Sequence, residues 1–576
     1  MSLLAGAPSP DFFWSNPIFE RNTWEGFTRF VRVGLALGGA LLLLYELRAR
    51  RMGVRLPAER VRRRWGLWLT VLAFGVFFEF GNPNARYSEF YHRHEFYHYY
   101  LGAKYFDEVG YKRLYECTLI AEVENGRRDE VERPQRQIRD LQINLIKPVA
   151  ETYVLSDPEQ CTRHFLGQRW EAFKRDIDWF RRSSDRDYWQ GMQQDHGFNP
   201  PPVWIVTGKL FASLGPASDT LFKVLAGIDV LLYAGCFVLL NWAFGWRVMT
   251  VAALFWGANA PADFYWTGGA FLRQDWLFLL VAAVCLARKR RFLASGFALT
   301  WSALLRIFPG LFVVGWAIVI ALYLVDSIRR GPRSIHGDRP ALALLRYLHP
   351  DHRRVIAGCV LALGVLVPSS LIVCGQSSYK DFYNHTLTTL QNTPLTNQMG
   401  LESMLVHTWK GRMRFAQDDN LSDPFEGWMK GRIQRFRERK PIFLTIVAGV
   451  FAWQVWALRR TRLLWVALVQ SVPITMCLIN ITCYYYSFFL LGAVLVLLRP
   501  QFGAPFLMAS AISKMLQWPP AGFYWVDDRW VAESYLFFAL SLMFLASYSR
   551  PFSWGRLSAW WRGEPESGRP VDARGS

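Results

Sequence analysis

The chain contains no internal repeat, which excludes an architecture of stacked identical units. Behind its first apolar run, about Val33 to Leu47, there is no small-residue cleavage site, only Arg clusters. The run therefore lacks the pattern of a cleavable leader and is expected to stay as an anchor. Acidic residues are short against basic ones, 46 against 66, for a net charge of +20. The excess Arg residues collect in short loops between apolar runs, as in the cytoplasmic loops of membrane proteins, so no nucleic-acid partner is expected. Cysteine is sparse as well. Six of the eight (Cys236, Cys285, Cys359, Cys374, Cys477, Cys483) lie in or beside apolar runs, where a thiol packs as a small hydrophobe. Cys117 and Cys161 alone fall in a polar segment. They could pair if that segment is outside the cytoplasm, and the sequence leaves both states open.

What the chain has in quantity is apolar surface: 52% of residues are hydrophobic and 16% aromatic. These residues gather in runs of membrane-spanning length, and the 26 Trp and 23 Tyr suit interfacial belts. Taking about 20 apolar residues per span, spans are expected near 28–47, 65–81, 219–243, 247–263, 272–288, 293–308, 309–326, 355–375, 441–458, 463–480, 483–499, 503–517 and 531–548. The fold class is an all-α multi-pass membrane protein of about thirteen transmembrane helices. Orientation follows from charge. The loop Arg48 to Arg64 carries eight Arg and one Glu, which assigns it to the cytoplasm; alternation then puts the other Arg-rich loops inside and segments 82–218 and 376–440 outside. The chain divides into an N-terminal anchor helix and basic cytoplasmic loop (1–64), a membrane domain (65–550) and a disordered cytoplasmic tail (551–576). Residues 107–200, mixed in charge, are expected to form an extracytoplasmic subdomain of short helices. The basic run Lys430 to Lys440 is expected as an interfacial helix meeting anionic lipid.

One polar stretch organises the chemistry: Tyr91 to Phe106, YHRHEFYHYYLGAKYF. As a helix it places Tyr91, Glu95, Tyr99, Gly102 and Phe106 on one face. Glu95 then sits among aromatic rings at a membrane edge, a setting for a general base. The alternative is a solvated Glu on a connecting helix. The same stretch spells H-E-x-x-H at His94, Glu95 and His98, the arrangement by which two imidazoles one turn apart bind zinc while the acid activates water. No third ligand stands at a recognisable spacing.

The run Glu95-Phe96, Tyr99-Tyr100, Ala103, Tyr105-Phe106, Gly110-Tyr111 and Leu114-Tyr115 resembles the first outer-loop motif of glycosyltransferase family 87 and related C-type transferases that use polyprenyl-phosphate sugars, mannosyltransferases among them. In that motif an acidic residue, usually Asp, precedes paired tyrosines. Further resemblances follow in the family's order: Asn199-Pro200-Pro201-Pro202, Gly268 to Trp276, Ala303 to Pro309, Asn397 to Leu401 and Tyr484-Tyr485-Tyr486. The chain departs from the pattern in having Glu at the acidic position, a histidine cluster around it, and residues 116–198, which resemble an insertion.

The resemblance implies a C-type glycosyltransferase fold with its active site under the first outer loop. It also implies transfer of a hexose, with mannose the suggested sugar, from a polyprenyl-phosphate donor to a glycan, glycolipid or protein acceptor, with inversion. Glu95 would deprotonate the acceptor hydroxyl; Arg273 and Arg306 would face the leaving phosphate, with Tyr99, Tyr100, Asp275 and His385 as further substrate-binding candidates. For each Arg the competing role is interfacial snorkelling. No cofactor is expected, and a divalent metal at His94 and His98 stays open. Membrane lipids are the surrounding partners, and the expected location is a bacterial inner membrane with the site facing outward. Two other function classes compete: a membrane zinc metalloprotease, and a non-enzymatic transporter or scaffold indifferent to Glu95, Arg273 and Arg306. Asp229, inside an apolar run six residues after Lys223, is either functional or half of a structural pair.

Overall fold

A computed structural model describes residues 20–85, 87, 89–329, 347–392, 395–418, 421, 424–518 and 526–549. The expected tail, 551–576, lies outside them. The described residues are mostly helical, with two antiparallel strand pairs among them, Gln137–Asp140 with Leu145–Pro148 and Gln398–Met399 with Ile481–Thr482.

Among the described residues six helices are long and apolar enough to cross a membrane: Arg21–Arg51, Asp219–Phe244, Phe308–Arg329, Pro350–Cys374, Glu426–Leu458 and Asp527–Tyr548. This fits an all-α membrane protein but not the expected thirteen spans. The difference has a physical cause. The apolar runs 247–263, 272–288 and 293–308 form helices of 13, 14 and 14 residues, Trp246–Ala258, Asp275–Arg288 and Phe292–Leu305. At 1.5 Å per residue these reach only about 20 Å, short of a hydrocarbon core of about 30 Å. The run 463–480 breaks at Gln470-Ser471 into the short helices Leu464–Val469 and Val472–Leu478. These segments are apolar because protein surrounds them: 11 of the 13 residues of Trp246–Ala258 are buried. A helix that is hydrophobic all round can be a core helix as well as a span, and hydropathy does not separate the two.

Small residues allow the closest crossings. Phe292–Leu305 packs on Pro350–Cys374, where a Cβ on Gly296 would lie 2.2 Å from the Val355 carbonyl oxygen and one on Gly358 2.0 Å from that of Leu293. Only glycine on both helices permits this approach.

Residues 107–200 fold largely as short helices, with the Gln137–Pro148 hairpin added. Cys117 and Cys161 are joined in a disulfide with Cα atoms 5.6 Å apart, tying helix Leu114–Glu122 to helix Glu159–Thr162. The basic run at 430–440 is helical, but it is the first part of the 33-residue helix Glu426–Leu458 and three of its four Arg side chains turn to protein. Arg435 Nε donates to the Val406 carbonyl at 2.7 Å, Arg439 donates to that of Leu405, and Arg432 Nη2 donates to Ser403 Oγ at 3.2 Å. Arg435 and Arg439 satisfy carbonyls at the end of helix Leu401–Val406, which have no acceptor role left inside the helix.

Candidate functional site

Tyr91 to Phe106 folds as a helix from Arg93 to Lys104, followed by a break at Tyr105. Its entry is fixed by a backbone crossing. His92 N–H donates to the Gly269 carbonyl at 2.7 Å, and Gly269 has φ +64° with its missing Cβ 2.4 Å from the Phe90 carbonyl oxygen. A side chain at 269 would be both strained and blocked. Leu272 also takes a positive φ, +49°, a costly conformation for a branched residue. Its carbonyl accepts from Trp204 Nε1 at 3.1 Å. This strained loop delivers Arg273 to the motif helix.

Arg273 Nη2 donates to Glu95 Oε1. The guanidinium also donates from Nη1 to the Trp266 carbonyl at 3.3 Å and lies 4.5 Å from the centre of the Tyr484 ring. Its backbone is fixed from below. The Asp229 carboxylate, 4% exposed within helix Asp219–Phe244, accepts from Arg273 N–H and Gln274 N–H, each at 3.1 Å. Those N–H groups precede helix Asp275–Arg288, where donors have no intrahelical partner. Asp229 is thus a positioning residue. The available sequence signal was a carboxylate within an apolar run; Lys223, its suggested partner, instead pairs with Glu89 at 2.8 Å.

The other segments singled out by sequence converge here. Tyr99 O–H donates to Asn199 Oδ1 at 2.9 Å, and the Tyr99 and Trp204 rings meet edge to face at 5.6 Å. Burial, then the Glu95 charge, raises the Tyr99 phenol well above its ordinary range, so it stays protonated. Arg306 is buried at the end of helix Phe292–Leu305, its guanidinium 5.8 Å from the Trp204 ring centre and within electrostatic range of Tyr485, Asp275, Tyr99 and Arg273. Asp275 faces Arg306, and its Oδ1 accepts from Trp276 N–H at 2.7 Å. Trp276, Phe308 and Tyr485 pack mutually at 4.9, 5.2 and 5.8 Å. Strand Gln398–Met399 pairs with Ile481–Thr482 just before the three tyrosines.

Two expected site residues sit elsewhere. Tyr100 is buried on the opposite side of its helix, donating to the Gly215 carbonyl at 2.6 Å and accepting from Lys104 Nζ at 2.7 Å. His385 is buried with its ring stacked on Tyr111 at 5.5 Å. Both are packing positions among the contacts described.

His94 and His98 make their hydrogen bonds to residues other than Glu95 and Arg273. His94 Nε2 lies 2.9 Å from Asp195 Oδ2. Burial opposes the His94 charge, but the hydrogen bond and charge of Asp195 outweigh it and raise the imidazole's pKa. Burial likewise opposes the Asp195 charge, yet His94 holds that carboxyl well below its usual range. Ligand atoms of His94, His98 and Asp195 lie within 4.8 Å of one another. Sequence spacing did not reveal Asp195, which reaches the pair through the fold of the subdomain. Both His98 nitrogens are engaged, Nδ1 at 2.8 Å from the His94 carbonyl oxygen, Nε2 at 2.7 Å from Tyr115 Oη and 2.9 Å from the Met192 carbonyl oxygen. Burial, and then the His94 charge, push its pKa down to about 4.

Comparison with protein-family models, with curated proteins and with solved structures finds no match for this chain.

Proposed function

We propose that this chain is an integral membrane glycosyltransferase of the C type, moving a hexose from a polyprenyl-phosphate donor to an extracytoplasmic acceptor. One observation supports the reading above the rest. Glu95, Tyr99, Asn199, Arg273, Asp275, Arg306 and Tyr485, drawn from segments that the sequence resemblance names in order, lie in one connected cluster. At its centre a carboxylate pairs with one guanidinium, and a second, Arg306, lies within electrostatic range of the first, the groups that such a transfer needs.

The chemistry follows from the pairing. The donor phosphate competes with Glu95 for the Arg273 fork, which suits phosphate oxygens as well as carboxylate oxygens. As phosphate takes the fork, with Arg306 beside it, Glu95 is released to accept the acceptor's proton. The acceptor oxygen attacks the anomeric carbon from the face opposite the phosphate. The bond from that carbon to the phosphate oxygen breaks, and its electron pair leaves with the phosphate. The product is inverted, the proton rests on Glu95, and the lipid phosphate stays between the two arginines. In the topology expected from sequence, with the loop 48–64 cytoplasmic and 65–81 crossing the membrane, this site faces outward.

The test is a screen of radiolabelled polyprenyl-phosphate sugars with the purified chain and envelope-lipid acceptors. Turnover of at least one donor, with inversion, is expected. No turnover of any donor across acceptor classes counts against the reading.

The His94, His98 and Asp195 cluster favours a second reading, a zinc-dependent protease. Against it, Glu95 is turned to Arg273, and a metal would have to take His98 from its present hydrogen bonds. Stoichiometric zinc in the purified protein, lost in a His94→Ala/His98→Ala variant, would favour that alternative.

A further inference from the structure

A charged cavity lies against residues 263–266, just before the loop that carries Arg273. Its volume is about 170 Å³; four cations, Arg29, Arg32, Lys514 and Arg529, line it together with three carboxylates, Glu25, Glu79 and Asp263. It is smaller than the roughly 300–1,000 Å³ of pockets for drug-sized molecules, and so suits a headgroup.

Its charges are unevenly satisfied. Arg32 pairs with Glu79, and Lys514 Nζ with Asp263 Oδ2 at 2.8 Å. Arg29 and Arg529 make no ion pair with a described residue. Glu25 and Asp263 attract Arg29, and Glu533 attracts Arg529, yet the two guanidiniums lie close enough to repel each other. The Nε and Nη2 atoms of Arg529 are buried and without a hydrogen-bond partner, as is Nε of Arg32, a residue 2% exposed. On the acceptor side, Oδ1 of the buried Asp263 is also unfilled. Buried guanidinium donors without an acceptor are costly, and an anion between Arg29 and Arg529 would satisfy them while cancelling their repulsion. A hydroxyl on the same molecule would supply the donor that Asp263 Oδ1 lacks.

The geometry points to this cavity as a binding site for a phosphate ester that carries a free hydroxyl, such as a phosphoglycerol headgroup. The setting suits a lipid source. The cavity lies between Arg21–Arg51 and Asp527–Tyr548, two of the six span-length helices. Phe27 and Phe30, 49% and 65% exposed, flank Arg29 on the first of them, where acyl chains would run. A soluble phosphate ester shares the recognised chemistry. Binding here requires neither Glu95 nor turnover, so the inference stands apart from the transferase reading.

Native mass spectrometry of the full chain released from detergent micelles tests it, with phosphatidylglycerol as the probe. Saturable binding is expected, weakened about tenfold, the scale of one charged hydrogen bond, in Arg29→Gln/Arg529→Gln. Lys223→Gln, which removes a cation outside the cavity, should bind like the parent. Competition by glycerol 3-phosphate would mark a soluble ester as a sufficient ligand; its failure to compete while the lipid still binds would mark the lipid as the source. If the double variant does not keep the parent's elution and melting behaviour, Arg529→Lys replaces it. That variant keeps the charge, loses the fork, and should weaken binding about threefold. Equal binding by the parent and whichever variant folds overturns the proposal, as does absence of saturable binding of both probes.

Discussion

The Glu95 carboxylate and the Arg273 guanidinium form an ion pair whose side chains are only 14% and 9% exposed, joining parts of the chain 178 residues apart. Removing one member strands the other's charge in a poorly solvated place. Arg273→Gln should therefore destabilise the protein by about 3 kcal/mol in chemical unfolding from mixed micelles. Glu95→Gln/Arg273→Gln should lose less than the sum of the two single losses, with a coupling of about 2 kcal/mol. Additive losses would show that the pair contributes nothing to folding.

Asp229 acts on the site through Arg273. Asn in its place keeps one acceptor oxygen and turns an amide toward an N–H group, at a loss of about 1–3 kcal/mol. The readout that separates positioning from bulk stability is kinetic: Asp229→Asn should raise KM for the lipid donor more than it lowers kcat. An unchanged KM in a folded variant removes Asp229 from the positioning role.

How much of this was legible in the sequence differs by element. The sequence singled out Glu95, Tyr99, Arg273 and Arg306, and the fold brings the other three within electrostatic range of Tyr99. Tyr100 was misjudged for a reason inherent in helices: adjacent residues point about 100° apart, so of a Tyr-Tyr pair only one can face the site. The span count exceeded the structure because hydropathy registers burial and not its cause; Trp246–Ala258 is apolar against protein. Asp195 was out of reach, since its approach to His94 depends on the tertiary path of residues 107–200. The pairing of Cys117 with Cys161, open in the sequence, is resolved by the fold of the same subdomain.

That disulfide closes a loop across a sequence separation of 44, which in the chain-entropy picture corresponds to about 4 kcal/mol. Cys117→Ala/Cys161→Ala should lower the stability of the polar segment by up to that amount. Limited proteolysis should then cut between 107 and 200 sooner than in the parent. Equal resistance in the two proteins would mean that packing alone holds the subdomain.

His98 sets a pH dependence. Its pKa in the fold, about 4, lies below the ordinary 6.5, so between these values the unfolded chain binds the extra proton. The contribution is fully present above pH 6.5 and is lost as pH falls toward 4. His94 runs the other way: its raised pKa gives stability that is full below pH 6.5 and fades as pH rises through the shifted value, while the lowered pKa of Asp195 gives stability lost as pH falls through that value. His98→Gln should therefore flatten the fall in melting temperature between pH 6.5 and 4. An identical slope in parent and variant would assign the acid sensitivity to other groups.

The role of Glu95 as the base rests on one substitution. Turnover of a polyprenyl-phosphate sugar by Glu95→Gln, which keeps the shape and removes the proton acceptor, is measured beside that of the parent, with the folded state of both checked by melting temperature and gel filtration. Loss of about 10²–10⁴-fold, the usual share of a general base, is the predicted result; a folded Glu95→Gln protein that turns over donor at the parent's rate would contradict it.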